Sequence, residues 1–193
     1  MAKNPIKKVT AKKKKIKKWI SVMAPKEFGN ISLGEIYVEE TEKAVGRVIT
    51  LNMLSVTGDH KKQNTNLRFL IDKAQGNQAS SILIGCEIPP AHLKRMARKA
   101  RSKIEDSFVC SCKEGGKMVI KPVIVLKGEA PRSVTTAIRV ATIEGVKKRA
   151  GELDIIKFFQ SILRQDIQKQ MKAELKKIYP VTGFTIRIAE ISK

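Results

Sequence analysis

The chain has 193 residues, of which 42% are hydrophobic, and its 39 lysines and arginines against 18 acidic residues give a formal net charge of +21. The hydrophobic fraction is sufficient for a folded core, which excludes a wholly disordered polycation. A folded protein with this charge repels itself unless an anionic partner neutralises it. The partner is therefore nucleic acid, an anionic membrane surface or an acidic protein.

Cysteine usage and the distribution of apolar residues indicate the compartment. No stretch approaches the ~20 apolar residues that span a bilayer, and no apolar segment follows the N-terminal charges as it would in a secretory signal. Three cysteines, an odd number, do not form a closed disulfide framework. We therefore expect a cytoplasmic protein in a reducing environment.

Residues 1–18 are a basic tail without acidic residues. Like charges along such a segment repel one another, so we predict that it is disordered until it meets a polyanion. An RNA-binding arm is the favoured interpretation, and a solubilising tail or a targeting signal is the alternative. The lysines of the tail predicted to contact RNA are Lys7, Lys8, Lys12, Lys13, Lys14, Lys15, Lys17 and Lys18.

Trp19 follows the tail and begins the predicted single globular domain, residues 19–193. We interpret Trp19 as a buried anchor, because tryptophan removes a large apolar area from water. Stacking on a base is the alternative.

The first part of the domain shows the period-two alternation of apolar and polar residues that is typical of half-buried strands. The alternation is clearest over residues 49–53, 67–71 and 82–86 and weaker over 31–38. Glycine-containing pairs at residues 58–59 and 76–77 predict turns between these strands.

Pro89-Pro90 predicts the start of a helix over residues 91–106, because proline is tolerated in a first helical turn. Leu93, Met96, Ala97, Ala100 and Ile104 recur at helical spacing and would form its buried stripe. The other face carries only cations until Glu105 and repels itself, which favours RNA phosphates as partners over a plain solvated face. These cations are Lys94, Arg95, Arg98, Lys99, Arg101 and Lys103.

Residues 107–126 predict a β-hairpin with its turn at residues 114–116. Pro122 predicts an edge or a bulge there, because proline cannot donate a ladder hydrogen bond. Three helices between residues 132 and 180 and a closing strand over 183–191 follow. This order predicts an α+β fold. A second candidate RNA patch lies on the first of these helices: Arg132, Arg139, Lys147, Lys148 and Arg149.

The sequence lacks the motifs of an enzyme. It contains no GxxxxGK[ST] phosphate loop and no GxSxG elbow, and His60 and His92 have no motif partner. Cys110-x-Cys112 with Cys86 lacks the second short-spaced pair of a structural zinc site, so these thiols are interpreted as small buried side chains. We predict no catalytic residue, no cofactor and no metal.

The type of anion follows from how the charge is distributed. It is spread over the tail, the predicted helix and the C-terminal half, and no helix-turn-helix, zinc-finger or homeodomain pattern appears. Aromatic residues are 5% of the chain, which argues against stacking on single strands as the main mode of binding. The predicted basic helix also has a narrow apolar stripe without aromatics, which disfavours a membrane surface. Structured RNA is therefore the favoured anionic partner.

Several segments resemble the eS-one (S-three-Ae) family of archaeal and eukaryotic small-subunit ribosomal proteins. The similarity extends from about residue 17 to residue 191. The segments that carry it are Lys17-Lys18-Trp19 with Ala24-Pro25 and Phe28, Gly46-Arg47-Val48, Gln75-Gly76-Asn77, residues 93–105, residues 123–126 and Ile178-Tyr179-Pro180.

The resemblance implies a β-barrel-like mixed sheet with packed helices, and a structural role in the small ribosomal subunit. It implies binding to small-subunit rRNA on the platform, near the 3′ end of that RNA and the messenger exit. Neighbouring platform proteins and mRNA near the exit would be partners. Eukaryotic members usually carry a longer C-terminal extension, so a chain ending at Lys193 resembles the archaeal type. The alternative function is a ribosome-associated translation or assembly factor that binds RNA transiently.

Overall fold

The computed structural model describes residues 16–97, 101–113 and 115–192. The predicted disordered tail up to residue 15, the three residues 98–100 of the predicted basic helix and residue 114 of the predicted turn lie outside the described residues.

The described residues form nine strands and five α-helices. The strands are β1 (Lys18–Met23), β2 (Ser32–Val38), β3 (Val48–Asn52), β4 (Asn66–Gln75), β5 (Gln78–Glu87), β6 (Lys103–Glu105), β7 (Phe108–Ser111), β8 (Lys117–Leu126) and β9 (Val181–Ile191). The helices are α1 (Met53–Thr57), α2 (Pro90–Met96), α3 (Arg132–Glu152), α4 (Ile155–Leu163) and α5 (Asp166–Leu175).

All these strands belong to one sheet, whose main path runs β2-β1-β5-β9-β8-β6. β3 extends it through β4, which pairs with β5, and β7 pairs with β8. β1 and β5 are parallel, whereas β9 is antiparallel to both β5 and β8. The predicted α+β fold with a mixed sheet and packed helices is confirmed, and the described strands form an open path rather than a closed barrel.

The alternation predicted for the first half produces a core face on β4, where Leu67, Phe69 and Ile71 are almost completely buried. A two-residue turn at Gly76-Asn77 joins β4 to β5, and Gly76 has the positive φ of 58° that such a turn requires. The alternation over residues 82–86 predicts that Ile82 faces the core together with Cys86. This is wrong for Ile82, which is 48% exposed. The β4–β5 register shifts twice, and each such irregularity changes which side chains face the core.

The helix predicted over residues 91–106 is wrong in its extent. α2 ends at Met96, and Lys103–Glu105 form β6, where Ile104 lies opposite Ile124 of β8. Ile104 is 3% exposed. Pairing with a buried strand therefore prevails over the helical propensity of this Lys-, Arg- and Ala-rich segment.

The hairpin predicted over residues 107–126 is confirmed, since β7 and β8 pair antiparallel. Pro122 lies at an irregularity, because the β8–β9 register shifts between Lys121 and Pro122. The bulge lets proline occupy a strand that has neighbours on both sides.

The three helices and the closing strand predicted after residue 132 are confirmed. α3 buries Ile138, Thr142, Val146 and Ala150, which recur every four residues on one face. It passes so close to α5 that a Cβ at Gly145 would meet Met171 Cε at 2.8 Å. None of the described helices has the length and apolar character needed to cross a membrane.

Candidate RNA interface

Cations from separate segments meet at one end of the sheet, where β8 ends and β9 begins. Arg95 of α2 and Arg101, which precedes β6, line one open cavity of about 310 Å³. We name this cavity the arginine pocket. Its remaining lining residues are Met96, Val125, Thr182 and Gly183.

Backbone hydrogen bonds of the next residue hold Arg101 at this position. The Ser102 N–H donates to the carbonyl of Gly128 (3.3 Å), and the Ser102 carbonyl accepts from the N–H of Leu126 (3.0 Å). The Ser102 hydroxyl accepts from the N–H of Ala130 at 3.3 Å. Arg101 is thus fixed against the end of β8, although it lies outside any helix or strand.

α2 brings the second arginine to the pocket. The helix is anchored by Leu93, which is 4% exposed, and its C-terminal end packs against the start of β9. A Cβ at Gly183 would meet Met96 Cε at 3.1 Å, so glycine permits this close approach. Lys94 and Arg95 lie in the last turn of α2, where the helix dipole favours cations.

Two further lysines, which the sequence pattern did not identify, belong to segments next to the arginine pocket. Lys127 follows β8, and its N–H donates to the carbonyl of Pro180. Lys172 of α5 donates from Nζ to the carbonyl of Thr182 at 2.6 Å. Lys127 is brought there by the pairing of β8 with β9, and Lys172 by the packing of α5 against β9. Periodicity within one segment reveals neither contact.

The arginine pocket suits phosphate groups. Among the described residues, neither Arg95 nor Arg101 has a carboxylate partner within ion-pair distance. A guanidinium binds phosphate through two parallel hydrogen bonds, which gives both orientation and strength. The pocket is therefore chemically suited to phosphate, and Lys172 adds a cation whose Nζ contacts the carbonyl of Thr182 in the pocket lining.

The basic ridge predicted along a single helix is not formed, because α2 ends at Met96. Lys94, Arg95 and Arg101 lie at the pocket end of the sheet, whereas Lys103 lies in β6 and pairs with the carboxylate of Glu105. Arg98 and Lys99 lie outside the described residues. Loop and strand geometry, rather than a helical face, determines which of these cations lie together.

In the second predicted patch, on α3, two of the five cations form ion pairs within the protein. Arg139 Nε lies 3.3 Å from Asp106 Oδ1. Arg149 bridges α3 to α5, because its guanidinium donates to Gln170 Oε1 and to Glu174 Oε1. The side chains of Arg132, Lys147 and Lys148 are exposed. All five remain predicted RNA contacts, but two of them already have carboxylate partners.

The last residues of the predicted tail lie at the start of β1. Lys17 and Lys18 are exposed, whereas Lys7, Lys8, Lys12, Lys13, Lys14 and Lys15 lie outside the described residues. Trp19 is 60% exposed, so its interpretation as a buried anchor is wrong. It lies in a strand whose neighbouring residue Ile20 faces the core, and strand alternation turns Trp19 outward.

The sequence model of the ribosomal S3Ae family matches residues 6–193. The chain belongs to the ribosomal S3Ae family. This is a family of ribosomal structural proteins and not of enzymes, and the resemblance found in the sequence is confirmed.

Curated relatives of this S3Ae chain come from several archaea and are each named small ribosomal subunit protein eS1. That of Nanoarchaeum equitans is 33% identical over 173 residues, covering 90% of this chain and 87% of the relative. That of Methanothrix thermoacetophila is 29% identical over 181 residues, covering 94% and 86%. That of Saccharolobus islandicus is 30% identical over 179 residues, covering 93% and 84%.

The cysteines of this S3Ae chain are buried. Burial raises the pKa of Cys86 to about 12 and that of Cys110 to about 11, because a thiolate loses its hydration in the core. Cys112 is 5% exposed. Among the described residues, no group of three or more His, Cys, Asp or Glu side chains could hold a metal ion.

We expect iodoacetamide at about pH 8 to leave all three cysteines of the native protein unmodified while the unfolded protein is labelled completely. The thiolate is the reactive form, and the raised pKa values of Cys86 and Cys110 keep its population low at this pH. Burial shields Cys112 from the reagent. Intact-mass spectrometry with and without denaturant measures the labelling. Rapid modification of the native protein would contradict this, since it requires an open core.

Proposed function

We propose that this S3Ae protein is a structural constituent of the small ribosomal subunit and binds small-subunit rRNA on the platform, near the 3′ end of that RNA and the messenger exit. It supports translation in the cytoplasm. Its partners are rRNA, neighbouring platform ribosomal proteins and mRNA near the exit. The observation that carries the proposal is the match to the ribosomal S3Ae family over residues 6–193. The platform position rests on the resemblance of the segments between residues 17 and 191.

The charge distribution supports the RNA-binding part of the proposal. A net charge of +21 favours an anionic partner such as RNA, and the arginine pocket offers cations without carboxylate partners among the described residues. Each phosphate that a cation neutralises releases counterions, so binding should weaken steeply as salt rises. A ribosomal protein that makes many such contacts on several of its faces nevertheless remains bound to the particle.

Sedimentation of a cell lysate through a high-salt sucrose gradient tests the proposal. We expect the protein in the small-subunit peak at one copy per subunit, as judged by quantitative mass spectrometry against other small-subunit proteins. Release into the soluble fractions would overturn the structural role and favour a translation or assembly factor that binds RNA transiently. A parallel low-salt gradient shows that the protein reached the subunits before the wash.

A further inference from the structure

Two large aromatic side chains lie side by side on the outer face of β1 and β2. Trp19 is 60% exposed and Tyr37 is 49% exposed, and the two residues are directly opposite each other in the antiparallel pairing. Their ring centroids are 4.9 Å apart with an interplanar angle of 37°. Single exposed apolar residues are ordinary on a protein surface, but an adjacent exposed Trp and Tyr form a continuous aromatic patch with tilted rings.

The strand pairing itself keeps this aromatic pair outside the core. Ile20 and Val22 of β1 are 1% and 0% exposed, so the strand already directs its alternate residues inward. The same alternation places Trp19 and Ser21 outward. The strand pairing therefore fixes the backbone positions of both residues, and both side chains lie on the outer face of the sheet.

Positive charge surrounds one side of the pair. Lys17 Nζ lies 5.6 Å from the centroid of the Tyr37 ring, on the same face of the strand as Trp19. The basic segment of residues 1–18 leads directly into this strand. Glu35 lies on the same outer face, opposite Ser21, so an anionic chain would approach from the Lys17 side.

We propose that Trp19 and Tyr37 form a stacking site for an unpaired RNA base, with Lys17 contacting an adjoining phosphate. This inference rests on the proposed RNA-binding function. Aromatic side chains on a rigid sheet are a common platform for single-stranded RNA, because every base has a π-face. A base inside a duplex is already stacked on its neighbours, so the site favours single-stranded over double-stranded RNA.

Trp19 is the only tryptophan of the chain, so tryptophan fluorescence, excited selectively over tyrosine, reports on this site. The full chain is titrated with a short oligoadenylate and with an RNA duplex of equal length, and a parallel anisotropy titration with labelled RNAs measures binding independently. We expect oligoadenylate to quench Trp19 with the same midpoint as the anisotropy change. The duplex binds through phosphates and causes little quenching.

Substitutions separate stacking from charge. Trp19→Ala should weaken oligoadenylate binding about fivefold or more and leave duplex binding unchanged, whereas Trp19→Phe should largely retain binding to both. The matched control is Val109→Ala, since Val109 is a strand residue that is 50% exposed. It should change neither affinity, and circular dichroism checks that all variants are folded.

The outcomes separate this inference from the proposed function. Binding of oligoadenylate without quenching of Trp19, or equal affinity of the Trp19→Ala variant, overturns the stacking site and leaves the RNA-binding function standing. Failure of the wild-type chain to bind either RNA overturns both.

Discussion

Replacing Arg95 and Arg101 together with glutamate should abolish stable incorporation of the protein into small subunits. Both side chains line the same cavity, and the change turns two phosphate-binding cations into two phosphate-repelling anions. The milder Arg95→Ala/Arg101→Ala variant should reduce the slope of log affinity against log salt by roughly two for isolated rRNA fragments. The measurements are sedimentation of tagged variants and filter binding at several salt concentrations.

A control with the same charge change distinguishes the pocket from the overall net charge. Lys26 and Lys73 are exposed and lie outside the arginine pocket, near the β1–β5 part of the sheet. The Lys26→Glu/Lys73→Glu variant should enter subunits better than the Arg95→Glu/Arg101→Glu variant. Equal loss in both would show that overall charge, and not the pocket, determines incorporation. Thermal unfolding of each purified variant shows that the domain remains folded.

Phe158→Ala should lower the free energy of unfolding by about 3–5 kcal/mol. Phe158 of α4 is 0% exposed within the main core cluster, so truncation removes apolar burial and leaves a cavity. A domain has only about 5–15 kcal/mol of stability, so this single change brings the protein close to unfolding at ordinary temperature. Urea denaturation followed by circular dichroism measures the difference.

The same helix provides the control for this substitution. Ile156 lies two residues earlier in α4 and is 53% exposed. Ile156→Ala should cost well under about 1 kcal/mol, because its side chain is already half in water. A similar cost for the two variants would contradict the placement of α4, since it would mean that both side chains are buried to the same extent.

The elements with strong local patterns were predictable from the sequence. α3, α4 and α5 carry long runs of helical periodicity, and β4 carries a clean alternation, so local pattern and tertiary burial agree there. The structure of the segment after α2 could not be predicted from its local pattern. Its apolar residues fit a helix, but Ile104 gains more by pairing with β8, and only the three-dimensional structure reveals that partner.

The candidate interface was predictable in its chemistry but not in its arrangement. Arg95 and Arg101 were predicted to lie on the same basic face of one helix. They do line one cavity, but they reach it from a helix end and from a loop held by Ser102. Lys127 and Lys172 had no local signal, because strand pairing positions the first and the packing of α5 against β9 positions the second. Trp19 was misjudged because the size of a side chain favours burial, whereas the phase of its strand turns it outward.

The position of β9 has a consequence for biogenesis. β9 lies between β5 and β8 and is the last of the described strands in the chain, so the two portions of the sheet cannot join before the ribosome has synthesised it. Until then the edges of β5 and β8 that pair with β9 expose backbone N–H and C=O groups, which can pair with strands of other chains. Thr182 and Gly183, which line the arginine pocket, arrive in the same late segment. A nascent chain therefore forms the arginine pocket only once β9 has joined the sheet, so the proposed RNA contacts of the pocket depend on complete folding.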